Sequence, residues 1–183
     1  MRQQRGYLRN AALVVMLAGS CPPALAQRAA REDASLPRIK SDDLASAVNA
    51  GVGLLLAKQE GENKGEWPYE GVYRVKGEIP IGYRVGNTGI CVMALLQAPG
   101  YKDDADRQAS VRRAMEFICS GTEHPLMSEK DYAGSYDVRG WGYIFGMHGL
   151  LRAKNAGAVP EDLVKKVDDT INWYCDALQK IEI

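Results

Sequence analysis

Two kinds of helix-forming segment take turns along this chain, and that alternation restricts its fold more than any other feature. Three segments carry an apolar stripe at helical spacing: Leu44, Val48, Val52 and Leu55; then Val111, Ala114, Met115 and Ile118; then Leu163, Val167, Ile171, Tyr174 and Leu178. Ser41 followed by Asp42 and Asp43 reads as the start of the first helix, over about 42–58, and Pro160-Glu161-Asp162 opens the last. Between them lie residues 90–96 (ICVMALL) and 141–151 (WGYIFGMHGLL), apolar on nearly every side, as expected of helices packed on both faces. Only the striped helices keep a face for water. The pattern therefore predicts an all-α protein of two layers, with outer amphipathic and inner apolar helices.

The striped helices also repeat. Val48, Gly51, Val52, Leu54 and Leu55 align with Val111, Ala114, Met115, Phe117 and Ile118, and again with Val167, Thr170, Ile171, Trp173 and Tyr174. The period is roughly 60 residues, which suits stacked helical hairpins. Tyr83-x-Val85-x-x-x-Gly89 recurs as Tyr136-x-Val138-x-x-x-Gly142, which predicts the same turn ahead of each inner helix. Two long connections, 59–87 and 120–140, should then leave on one rim.

Within this repeat, Gln59, Gly65 and Trp67 form a Gln...Gly-x-Trp element, and Thr88-Gly89-Ile90-x-x-Met93-Ala94-Leu95-Leu96 opens the following helix. These residues resemble the prenyltransferase and squalene-oxidase repeat of the α/α-toroid proteins, which include terpenoid cyclases and protein prenyltransferase β subunits. The resemblance spans roughly Leu44–Leu178, closely in the first unit and more loosely in the second, which has no equivalent glutamine. It implies an incomplete α/α toroid of about two and a half helical hairpins over 41–183. It further implies that Gln59 ties helix ends together and that Trp67 packs between neighbouring repeats. A Gln amide suits that task, because it both donates to and accepts from orphan backbone groups. An unfinished ring exposes the apolar flank of its last helix at roughly 25 cal/mol per Å². The expectation is therefore that the chain is truncated or that its edge closes against a partner or a second copy.

The amino terminus carries Arg2, Arg5 and Arg9, then the apolar run Ala11–Ala18, then Ala24-Leu25-Ala26. This is the order of a secretory signal cleaved after Ala26, and it predicts an exported, periplasmic or extracellular protein. The run falls well short of the roughly 20 residues that span a bilayer, so the mature chain should have no transmembrane anchor. Residues 27–40 read as a flexible lead-in. Removing 26 of 183 residues leaves 157, one domain's worth, with 20 basic and 23 acidic groups. That balance argues against a nucleic-acid partner, since phosphate binding needs clustered positive charge. Cys91, Cys119 and Cys175 are an odd number with no Cys-x-x-Cys pair, which argues against a disulfide scaffold and a structural zinc site. They read as small buried apolar groups, with Cys119 and Cys175 at equivalent core positions of adjacent outer helices.

A cyclase acid would need Asp-x-Asp-Asp, but the nearest string is Lys166-Val167-Asp168-Asp169-Thr170, on the solvated side of an outer helix. A prenyltransferase zinc site needs Asp, Cys and His together, yet His124 and His148 are the only histidines and no such motif accompanies them. No catalytic set, cofactor or metal is indicated. The candidate ligand-binding residues are Trp67, Tyr69, Tyr73, Tyr132 and Tyr136 of the rim loops, Asp137 and Arg139 at the mouth of the second inner helix, and His148 on that helix. Aromatic rings beside polar groups can bind a sugar or an apolar ligand, or simply cover the ends of the inner helices. Asp137 and Arg139 can bind a polar ligand or brace their turn. His148 can face a central cavity or lie satisfied in the core. The expected function is that of an exported protein of the prenyltransferase/squalene-oxidase-repeat kind acting in binding or assembly. The alternative is a fragment of a terpenoid-cyclase-like or carbohydrate-active α/α-toroid enzyme whose acid lies in repeats absent here.

Overall fold

A computed structural model describes residues 40–181 apart from Tyr69 and Asp131. The expected leader at 1–26 and nearly all of the lead-in at 27–40 lie outside these residues. Contacts divide the chain after Ser41, and the helical architecture belongs to the unit Asp42–Ile183. The protein is all-α. Its helices are α1 (Ser41–Lys58), α2 (Ile81–Gln97), α3 (Ala105–Ser120), α4 (Arg139–Asn155) and α5 (Val164–Lys180). Among the described residues there is no strand, only two isolated bridges inside the 59–80 connection.

Local chemistry sets the ends of these helices. Pro80 precedes α2, and its carbonyl accepts the Tyr83 and Arg84 amides. Ala98-Pro99-Gly100 stops α2, since Pro99 cannot supply the next amide and Gly100 takes a left-handed φ of 81°. Asp104 caps α3 by accepting the Arg107 amide at 2.9 Å. Gly157, at φ 64°, closes α4: its amide reaches the Lys154 carbonyl and the Ala158 amide reaches Ala153.

α2 and α4 share the most extensive helix–helix contact in the protein. A Cβ on Gly82 would meet the Val138 carbonyl at 2.2 Å, one on Gly86 the Trp141 indole at 2.3 Å, and one on Gly89 the Phe145 carbonyl at 2.0 Å. Gly149 in turn lies against Gly89. Residue numbers rise together along this seam, so the two inner helices run parallel. α3 runs back along α2, with Gly121 at Val85 and Arg107 on the Ala98 carbonyl, and α5 likewise returns along α4. The core fills the space between the layers. Val85, Val92 and Leu95 of α2 meet Val111, Met115 and Ile118 of α3, Tyr143 and Leu150 of α4, and Val167 and Tyr174 of α5, all within 1% of full burial.

Several expectations need correction. α2 begins at Ile81, about two and a half turns ahead of the 90–96 run, because Gly82 and Gly86 are seam residues and not loop residues. Tyr83, Val85 and Gly89 therefore lie inside α2, whereas Tyr136 and Val138 precede α4, and the Tyr-x-Val-x-x-x-Gly alignment is not the structural register. The structural repeat is Gly82, Gly86 and Gly89 against Gly142, Gly146 and Gly149. The inner helices are not enclosed on all sides, for Ala94, Ile144 and His148 are exposed while Met93 and Phe145 are half-buried. The α1 stripe is covered only at its centre: Val52 is buried, Val48 and Leu55 are half-buried, and Leu44 is exposed. Cys91 and Cys119 are buried, but Cys175 is exposed and does not share the environment of Cys119.

Candidate functional site

The two long connections, now 59–80 and 121–138, meet at one end of the inner layer. Tyr73 of the first touches Tyr136 of the second edge to face, with centroids 5.1 Å apart. Tyr136 continues to Tyr83 of α2, their hydroxyls 3.0 Å apart, and Tyr83 packs on Trp141, which packs on Phe145 of α4 at 4.5 Å. Five rings thus form one array from the rim onto the open face of the inner helices. The Tyr73–Tyr136 and Tyr83–Trp141 contacts are edge-on at 65° and 70°, and the Tyr83–Tyr136 and Trp141–Phe145 contacts are tilted at 46° and 51°.

Helical spacing explains this placement. With Gly82, Gly86 and Gly89 turned to α4, and Val85 and Val92 turned to the outer layer, Tyr83, Asn87, Ile90 and Ala94 are left along the remaining stripe of α2. On α4 the same geometry leaves Trp141, Ile144, Phe145 and His148. The indole of Trp141 lies on Gly86, and its N–H is the buried side-chain donor without a hydrogen-bond partner among the described residues.

Beside the array, a groove of about 810 Å³ opens between the second rim loop, the first two turns of α4 and the end of α5. Its apolar lining is Trp141, Ile144, Phe145 and Ile181, and its polar wall is held by Arg139. Arg139 is 7% exposed. Its guanidinium makes a forked contact with the Asp137 carboxylate at 2.7–3.0 Å, donates to the Lys130 carbonyl at 2.6 Å and to that of Ser128, and lies 4.9 Å over the Tyr132 ring. Partial burial pushes the Asp137 carboxyl up, but the hydrogen bonds and charge of Arg139 outweigh it and leave the group below its ordinary value. Burial, and secondarily the Asp137 charge, raises the Tyr132 phenol. Across the groove Lys180 pairs with Glu129 at 2.8 Å. The charges of the Arg139–Asp137 and Lys180–Glu129 pairs are answered within the chain.

The structure brings together Tyr73, Tyr132, Tyr136, Asp137 and Arg139 of the expected site. Asp137 and Arg139 brace the loop, since every guanidinium nitrogen of Arg139 already has a partner. Arg107 repeats the device elsewhere, buried against Asp104 and the carbonyls of Ala98 and Pro99. Trp67 lies apart from the open face. It is buried, donates from Nε1 to the Leu55 carbonyl at 2.7 Å, and has its backbone held by Thr88 and Asn87, so it clamps α1 to α2. Gln59 is buried too, and exchanges hydrogen bonds with Ser110 of α3 in both directions at 3.0 and 2.8 Å. Tyr69 falls outside the described residues. His148 is exposed on α4, neither buried nor in an enclosed cavity. His124 caps a turn, its Nδ1 accepting the Leu126 amide.

Trp141, Ile144 and Phe145 line the groove beyond the expected site residues, since the all-round apolar 141–151 run implies an enclosed helix. The signal was present in the glycine spacing, which fixes one face of each inner helix and so leaves the opposite one open. Among the described residues, no group of three or more His, Cys, Asp or Glu side chains is placed to hold a metal, and no helix is long and apolar enough to cross a membrane. No family model, curated protein or solved structure matches this chain.

Proposed function

We propose that this chain is an exported helical-repeat protein of the α/α-toroid kind that acts in binding or assembly through the open face of its inner layer. The observation that carries the reading is the continuous array of Tyr73 and Tyr136 of the rim loops with Tyr83 of α2 and Trp141 and Phe145 of α4. A soluble monomer seldom keeps so contiguous an apolar surface without a use for it. Parallel inner helices, each returned by an antiparallel outer helix, support the toroid part of the reading, as do the paired glycine triplets spaced by 60 residues. The order of charged, apolar and small residues over 1–26 supports export.

The test measures particle mass and the fluorescence of an apolar dye on the same sample of the full chain. An open face requires one of two results: the dye binds, or the particle is larger than one chain. A single-chain particle that takes up no dye overturns the reading.

A further inference from the structure

We infer that α1 is a strap that opens on its own while α2–α5 stay packed, and that its opening presents Trp67 to solvent on a support already in place. The inference is independent of the functional reading above, which concerns α2, α4 and the rim loops.

α1 is the least anchored helix. Among the described residues Val52 is its one buried residue of eighteen, against nine of seventeen in α2 and four of seventeen in α5. From Leu44 to Gly51 every residue is exposed except Val48, which is half-buried. Helices in proteins are held chiefly by burying an apolar face, and one with so little buried opens locally ahead of global unfolding. Gly51 and Gly53 weaken α1 further. A Cβ at either would meet nothing within 4 Å, so neither glycine serves a close approach, and each lowers the helical population about 5-fold relative to alanine.

The fastenings of α1 lie at one end. Leu55 and Leu56 pack on the core from its last turns, and the Leu55 carbonyl accepts the Trp67 indole N–H at 2.7 Å. Just past the helix the chain is fixed to the body. Gln59 exchanges hydrogen bonds with Ser110, and the backbones of Glu60 and Glu66 pair at 2.9 and 3.1 Å. The pivot is therefore the Lys58–Gln59 link. Trp67 is held from the opposite side: its amide donates to the Thr88 hydroxyl at 3.1 Å and its carbonyl accepts from Asn87 at 2.8 Å, both on α2. Opening α1 thus removes the partner of the indole N–H and leaves these two bonds intact. A ring that is 3% exposed in the closed state, with its donor freed, is uncovered without further rearrangement.

The test is native-state hydrogen exchange of the full chain by NMR, which reads the two N–H groups of Trp67 separately, each relative to its rate in an unstructured peptide. The indole N–H and the α1 amides of residues 48–58 should exchange together, at least ~100-fold faster than the Trp67 backbone amide and the slowest amides of α2. Val52→Ala trims the one buried side chain and should speed the α1 amides and the indole about 10-fold. Gly53→Ala should slow them by up to about 5-fold. Neither variant should move the Trp67 backbone amide or α2. A common rate for the indole, the Trp67 backbone amide and α2 overturns the inference. A Trp67 backbone amide that follows α1 also overturns it, as does an effect of either variant spread equally over all five helices.

Discussion

Gly89→Ala isolates the seam that holds the inner layer together. The new Cβ would sit 2.0 Å from the Phe145 carbonyl oxygen and 2.6 Å from its carbon, where ordinary contact starts near 3.4 Å. The obstacle is backbone inside a regular helix, so no rotamer change relieves it, and α2 and α4 must part by more than 1 Å. Overpacking of this kind costs about 1–3 kcal/mol, and a backbone obstacle places it at the upper end. Alanine returns about 1 kcal/mol through its better helix propensity. The net is a loss of about 2 kcal/mol, or roughly 6 °C of melting temperature for a domain of this size. Gly53→Ala in α1 is the matched control, because nothing lies within 4 Å of its added Cβ. There only the propensity acts, and stability should hold or rise by up to about 1 kcal/mol. Both are read by circular dichroism at 222 nm on heating. A Gly89→Ala chain that melts at or above wild type refutes the close parallel packing and the open face that follows from it.

Three further outcomes bear on particular residues. Gln59→Ala should destabilise by about 1–3 kcal/mol, since it leaves buried groups unpaired, and a cycle with Ser110→Ala should show coupling of at least about 0.5 kcal/mol by denaturant titration; additive effects would deny the link between α1 and α3. Asp137 has a lowered carboxyl pKa in the fold, so its contribution is present above the ordinary value near 3.8 and is lost only as pH falls through the lower, folded value. Proteolysis of the 128–137 loop should accordingly rise only in strong acid for wild type, and at every pH for Asp137→Asn; equal resistance of that variant at neutral pH would remove the bracing role. Burial pushes the Cys91 thiol up to about 11 and raises that of Cys119, while Cys175 is exposed. Of these three, a thiol reagent at pH 8 should label Cys175 alone by peptide mapping, and rapid labelling of Cys91 would show that α2 is not packed as described.

Periodicity locates α1, α3 and α5, because an apolar stripe at steps of three and four is written in the chain itself, while the apolar runs at 90–96 and 141–151 mark only part of α2 and α4. The same patterns carry the all-α class. The starts at Ser41 and Pro160 are legible because such signals act within a few residues of themselves, whereas the Asp104 cap and the Pro99-Gly100 stop are found in the structure. Two long connections are legible at 59–87 and 120–140, although the first ends at Pro80 because α2 starts at Ile81.

Only tertiary structure decided which way each apolar surface turned. A segment such as 141–151 is apolar all round, so its composition could not distinguish a helix packed on every side from one with an open face. The distinction came from Gly82, Gly86 and Gly89, whose missing Cβ atoms let α4 approach along one side, with the Trp141 indole on Gly86, and left Ile144 and His148 exposed. Trp67 clamps α1 to α2 through hydrogen bonds of its own to Leu55, Asn87 and Thr88. Helix formation follows from neighbours along the chain, whereas the direction a helix presents depends on contacts some 60 residues distant, and those exist only once the layers have met.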